Sequence, residues 1–278
     1  MRSKRSSCEK QQIKEKVLSI RYLLPQLGTR KLHKLLGGAR QGKGVKIGRD
    51  RLFDLLREEA LLVVRKRKYV KTTDSRFWMR QYPDLVKGVK PERPEQLWVA
   101  DITYLTTEQG HCYLHLITDA YSKKIMGYKL SESLAASETI QALRSALKGR
   151  RYSQSLTHHS DRGLQYCSKE YTELLTQHKI SISMTQTGSP YDNAIAERIN
   201  GILKQEFGMD DQFNTMQRAQ KQLDQAVMLY NNLRPHLSNT FLTPERMHNQ
   251  KVLKPKTWHK KTASSPEVTG GSLSSILI

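Results

Sequence analysis

Apolar positions change their period several times along the chain, and each change marks an element. Ile13, Val17, Ile20 and Leu24 fall on one stripe at helical spacing and Pro25 closes the segment, so residues 10–24 read as an amphipathic helix. Gly28-Thr29-Arg30 opens a second helix carrying Leu32, Leu35 and Leu36, and Gly37-Gly38 ends it. A Gly/Lys-rich loop at 40–48 leads to a third, about 49–60, with Leu52, Phe53, Leu55 and Leu56 inside and Arg49, Arg51 and Arg57 outside. Three short helices with basic outer faces and glycine turns suggest a small all-α, helix-turn-helix-like unit.

From Gln96 the period drops to that of strands. Leu97–Leu105, His111–Thr118 and Lys124–Leu130 are three β-rich runs joined by short connections, the first two by the turn Glu108-Gln109-Gly110, which makes an antiparallel meander. A helix over 135–148, a strand at 155–159, a helix near 168–178, a strand at 181–185 and a helix carrying Glu197 follow. This βββαβαβα order is an α/β mixed sheet flanked by helices, the layout of a ribonuclease-H-like domain. A last helix spans 214–232, and the tail from 262 is Ser/Gly-rich, aperiodic and expected to be disordered. The domains expected are a basic helix-turn-helix-like region at 1–64, a basic Pro-containing linker at 65–94, the catalytic-type core with its C-terminal helix at 95–249, and a basic tail at 250–278.

Charge sharpens this division. Of the net +21, residues 1–90 hold 25 Lys/Arg against 8 Asp/Glu, residues 91–250 hold 17 of each, and residues 251–278 hold 5 Lys/Arg and one Glu. A basic unit joined to a neutral domain reads as nucleic-acid binding coupled to a second activity. The third helix, with Arg49 and Arg51, is expected in a groove of the duplex, and the run Arg65-Lys66-Arg67-Lys68 is expected to track phosphates. Cys8, Cys112 and Cys167 show no CxxC spacing, which fits a reducing compartment and argues against a disulfide framework or a cysteine zinc site. No signal-type apolar segment and no membrane span is present, so the chain is expected inside the cell, away from membranes.

Three carboxylates stand out by position. Asp101 interrupts an apolar strand, Asp161 ends another between Ser160 and Arg162-Gly163, and Glu197 lies on the first turns of the helix after Gly188-Ser189-Pro190-Tyr191-Asp192. Asp192 stands where a helix N-cap belongs. Burying a lone carboxylate in a core strand is costly unless it is paired or bound to metal. Taken singly, each acid has a bland explanation: an edge position, a turn, a solvated pair. If the three converge, they make an oxygen-only site for two Mg²⁺ or Mn²⁺ ions, suited to in-line displacement at phosphorus. Lys204 follows Glu197 two turns later on the same helical face. His158 and His159, adjacent on a strand, point to opposite faces, so one of them packs near the acids.

The motifs Trp98-x-x-Asp101-Ile102-Thr103-Tyr104, His159-Ser160-Asp161-Arg162-Gly163-x-Gln165-Tyr166 and Asp192-Asn193-Ala194-x-Ala196-Glu197 resemble the DDE integrase core, with 35 residues between Asp161 and Glu197 as in retroviral-integrase-like enzymes. Leu203-Lys204-Gln205-Glu206, Tyr230-Asn231-x-x-Arg234-Pro235-His236 and Leu242-Thr243-Pro244-Glu245 are similar to the second-frame (OrfB) transposase of the IS-three group of bacterial insertion sequences. The resemblance runs from about residue 10 to 248. Departures are Arg198-Ile199-Asn200, where the family often has Ser-Phe-Phe, Gly201 inside the helix, and Leu164 in place of a small polar residue.

The resemblance implies a transposase. Asp101, Asp161 and Glu197 would be catalytic and metal-holding, Lys204 would contact end DNA, and water followed by a 3′-hydroxyl would attack phosphodiesters. It implies double-stranded DNA as partner, both transposon ends and target, a homo-oligomer on DNA, a bacterial nucleoid location, and an upstream-frame helix-turn-helix/leucine-zipper product as fusion or partner. The rival readings are a non-catalytic DNA-binding regulator and a ribonuclease-H-like nuclease that cuts without joining.

Overall fold

The computed structural model of the chain describes residues 2–37, 47–63, 82–186 and 194–250. The basic run at 65–68, the expected cap Asp192 and the tail from 251 lie outside the described residues.

Five strands form one sheet in the order β3-β2-β1-β4-β5. β1 (Leu97–Thr107), β2 (Gly110–Asp119) and β3 (Ile125–Ser131) make the expected antiparallel meander. β4 (Leu156–Ser160) lies parallel to β1, and β5 (Ile180–Met184) parallel to β4. Parallel neighbours need crossovers, and helices supply them. α4 (Ala136–Lys148) links β3 to β4, while the short α5 (Leu164–Cys167) and α6 (Lys169–Gln177) link β4 to β5. This is the ribonuclease-H-like layout anticipated from the element order.

Both sheet faces are covered, so the central strands are apolar on both sides. On one face, Ala142, Leu143 and Ala146 of α4 and Tyr171 and Leu175 of α6 pack with Trp98, Ala100 and Ile117. The fit of α4 is close. A Cβ on Gly127 of β3 would stand 2.3 Å from the Ala142 carbonyl oxygen and 2.8 Å from the Ala146 Cβ, so only glycine fits there.

On the other face lie α7 (Ala194–Glu206) and α8 (Met216–Asn232), whose Ile199, Leu203, Leu223 and Tyr230 meet Leu105, Leu114 and Leu116. α7 runs unbroken through Gly201. Apolar contacts on both sides of that residue carry a helix that propensity alone would weaken. α8 starts at Met216, two residues later than the pattern placed it, behind the cap Thr215, whose hydroxyl accepts from the Arg218 N–H.

The N-terminal helices α1 (Arg2–Leu23), α2 (Thr29–Gly37) and α3 (Arg49–Glu58) join this second core. Val17, Leu32, Leu52 and Leu56 belong to the same cluster as Tyr230. Lys31 of α2 adds a polar tie, donating to Glu206 at 3.2 Å. Glu206 also takes a bidentate pair from Arg234, at 2.8 and 2.7 Å, and Arg234 is only 1% exposed. The helices are thus not a free-standing bead in front of the core.

A 3₁₀ turn at Leu237–Asn239 and α9 (Pro244–His248) have no counterpart in the pattern. They clasp the sheet through a fully buried network. His248 Nε2 lies 3.2 Å from Glu95 Oε1 and Nδ1 lies 3.1 Å from Ser122 Oγ, while the Ser122 hydroxyl donates to Asp119 at 2.6 Å. Burial alone would lower the His248 pKa, but the carboxylates of Asp119 and Glu95 hold it raised. Among the described residues, no helix is long and apolar enough to cross a membrane.

Candidate active site

β1 and β4 pair through Leu97↔Thr157, Trp98↔His158 and Val99↔His159, and the ladder stops there. Carried two residues further, the same register sets Asp161 beside Asp101. Neighbouring strands run about 4.8 Å apart, so the two carboxylates emerge side by side from a parallel pair. This is the carboxyl end of β4, where open α/β sheets leave a crevice.

Each acid is held by a specific donor. The Gly163 N–H donates to Asp161 Oδ1 at 2.9 Å. The Asn200 amide, on α7, donates to Asp101 Oδ2 at 2.7 Å. Burial and the charge of Asp161 push Asp101 up to about 7, with Glu197 adding a smaller push and the Asn200 bond opposing it. Burial also raises Asp161, against the Gly163 N–H and the nearby His159. The strand reading of the histidines holds accordingly. His159 lies near Asp161, whereas His158 turns to the other face, 2.9 Å from the Tyr171 hydroxyl, and stays neutral with a pKa of about 3.

Glu197 is exposed on the first turn of α7, and its charge reaches Asp101. Lys204 sits two turns on, its Nζ 4.5 Å from the centre of the Tyr104 ring, with burial lowering its pKa and the charges of Asp210 and Asp101 opposing that. Arg49 and Arg51 are on α3. Arg49 pairs with Asp50 at 2.7 Å, and Arg51 lines a separate cavity of about 350 Å³ with residues of α1.

Asn200 entered the sequence reading only as part of a departure from the family pattern and was given no role in the site. It is 5% exposed, and its Oδ1 is buried with no hydrogen-bond partner among the described residues. One signal was available: it falls one turn after Glu197 and one turn before Lys204, on the same face.

The donor chemistry suits a hard divalent cation. Two carboxylates raised by burial, Asp101 also by the charge of Asp161, beside an unsatisfied amide oxygen, are what a bound cation would relieve. Among the described residues, no group of three His, Cys, Asp or Glu side chains stands close enough to hold a metal. The preformed part is therefore the aspartate pair, with Glu197 at its margin.

Comparison with known proteins fits this arrangement. The integrase core domain family matches residues 91–190, and a second integrase core family matches 178–244. The 31 kDa protein of insertion element IS600 from Shigella sonnei is 36% identical over 235 residues, which is 84% of this chain and 85% of that protein. Transposase InsF for insertion sequence IS3fB from Escherichia coli is 34% identical over 160 residues, 57% of this chain. The chain belongs to the integrase-core transposases of the IS-three group. Its match spans 56% of InsF, little more than half that protein's length. Among solved structures, the simian T-cell lymphotropic virus intasome, in complex with PP2A regulatory subunit B56 gamma, covers 90% of this chain and 80% of its own at 21% identity and a TM-score of 0.51. That likeness is one of fold.

Proposed function

We propose that this transposase cuts the ends of an insertion sequence and joins the freed 3′-hydroxyl to DNA, with Asp101, Asp161 and Glu197 as its catalytic carboxylates. The single observation carrying the residue assignment is the register of β1 and β4, which sets Asp161 beside Asp101, with Asn200 of α7 donating to Asp101. Asp101 and Asp161, oriented by Asn200 and by the Gly163 N–H, would hold divalent metal, and Glu197 would complete the set from the start of α7. Two Mg²⁺ or Mn²⁺ ions there would supply charge stabilisation for the oxygens entering and leaving phosphorus.

The remaining work falls to the protein. Lys204 contacts the backbone of the end DNA. The basic residues Arg49, Arg51, Arg65, Lys66, Arg67 and Lys68 hold the duplex. One phosphodiester is exchanged for another in the joining step, so no nucleotide is consumed. The division follows the charge: a DNA-binding region at 1–64, a linker at 65–94, the core at 95–249 and a basic tail. Two ends must meet, so the active form is a homo-oligomer on DNA, joined or fused to the upstream-frame product. The bacterial nucleoid is the setting this implies.

The test is recovery of a joined product. A labelled end duplex is incubated with Mg²⁺ and the chain, alone and fused to its upstream frame. A covalently joined species is the expected result. Cut but never joined DNA would make the protein a nuclease, and binding without cutting by either form would make it a regulator.

A further inference from the structure

α2 and α7 line a groove of about 1230 Å³. Its walls carry six Lys/Arg and three Asp/Glu side chains. One of the three acids, Glu206, is already taken by Arg234 and Lys31. The other two, Asp210 and Asp211, stand exposed. Arg30 of α2 and Arg198 of α7 are exposed and line the groove from opposite walls, and among the described residues neither makes an ion pair.

We propose that this groove carries the phosphodiester backbone of the DNA whose reacting bond lies at Asp101 and Asp161, with Arg30 and Arg198 as its phosphate contacts. DNA as occupant rests on the transposase reading. The groove itself rests on three local facts. First, it is continuous with the site, because Lys204 lines it and also feels the charge of Asp101. Second, Glu197 and Arg198 are consecutive on α7, one reaching Asp101 and the other the groove, so one helix presents both the acid and a cation to the same strand. Third, the positive charge is crowded. Burial and the charge of Arg234 bring Lys31 down to about 8, Glu206 opposes this, and Arg198 adds to it. An incoming anion relieves that crowding.

The consequence is a division of labour on α7. A backbone bound here fixes the angle at which the duplex enters the carboxylate centre. It also makes the docking of α2 on α7 part of the substrate site.

The test is binding of a labelled end duplex by the full chain, without divalent metal so that nothing is cut, across a range of salt concentrations. Each phosphate contact contributes ~0.9 to the log–log slope. Arg30→Ala and Arg198→Ala should each lower the slope by about 1 and the double variant by about 2. Arg30→Lys and Arg198→Lys should restore most of it, and Lys169→Ala, outside the groove, should change nothing. If the alanine pair melts early, Arg30→Gln with Arg198→Gln replaces it with the same expected slopes. Unchanged slopes in a double variant that melts like the parent overturn the assignment. So does a double variant that keeps its duplex affinity but loses binding of a polyglutamate peptide, which gives the groove to an acidic protein segment. Cutting plays no part in this readout. A chain that shows these slopes yet never cuts or joins overturns the transposase reading and leaves the groove standing.

Discussion

Asn200 Nδ2 donates to Asp101 Oδ2 at 2.7 Å, which ties the helix that carries Glu197 to the strand that carries Asp101. The bond favours the ionised form of a carboxylate that burial and Asp161 otherwise hold up to about 7. Removing the donor by Asn200→Ala raises Asp101 further. The acidic limb of the pH–rate profile should therefore move to higher pH, with turnover at neutral pH falling about tenfold, roughly 1.4 kcal/mol of barrier. A pH profile of end cleavage by parent and variant checks this. A uniform drop with no shift would mean that Asn200 serves packing alone.

The same burial makes a prediction about stability. Asp101 has a folded pKa of about 7 against an ordinary 3.8, so the metal-free fold is stabilised by its proton below pH 4 and loses that contribution as pH rises through about 7. Asp101→Asn should therefore be more stable than the parent at pH 8 in EDTA by about 2 kcal/mol, allowing for solvent screening. The difference should vanish near pH 4. Added Mg²⁺ should raise the melting temperature of the parent and leave the variant unmoved. Thermal melts at the two pH values, with and without metal, measure all three.

Much of this was legible in the chain. The meander followed from strand period and the turn at Glu108-Gln109-Gly110, and the acids stood out because they end or interrupt apolar strands. What was not legible is held by polar contacts between residues remote in sequence. Lys31 meets Glu206, and Glu95 and Asp119 meet His248, only once the chain has folded. Nothing in local spacing announces such partners. α7 continues through Gly201 as the Glu197–Lys204 spacing implied, because Ile199, Ile202 and Leu203 bury on both sides of the glycine.

The buried clasp at α9 should be sensitive to pH with the opposite charge type. His248 has a raised folded pKa, so its protonated form stabilises the fold fully below pH 6.5, and that contribution fades as pH rises through the raised value. His248→Asn should cost about 1–3 kcal/mol at pH 6 and measurably less at pH 9. Urea midpoints at the two pH values decide it. Equal costs would show that His248 is neutral in the fold.

Gly127 sets how closely α4 lies on β3. Gly127→Ala drives a methyl to within 2.3 Å of the Ala142 carbonyl, so the helix must lift. A loss of about 2 kcal/mol or more in chemical denaturation is expected. Cleavage measured well below the melting temperature should be nearly unchanged, because the carboxylates lie on other elements.

The most direct measurement of the central claim is Mg²⁺-dependent cleavage of a labelled end duplex by the active form of the protein, parent against Glu197→Gln. Glutamine keeps the size of the side chain and removes its charge, so duplex binding should survive. Cleavage should fall a thousandfold or more, about 4 kcal/mol of barrier. Near-parental cleavage by Glu197→Gln would remove Glu197 from the site and contradict the three-carboxylate account.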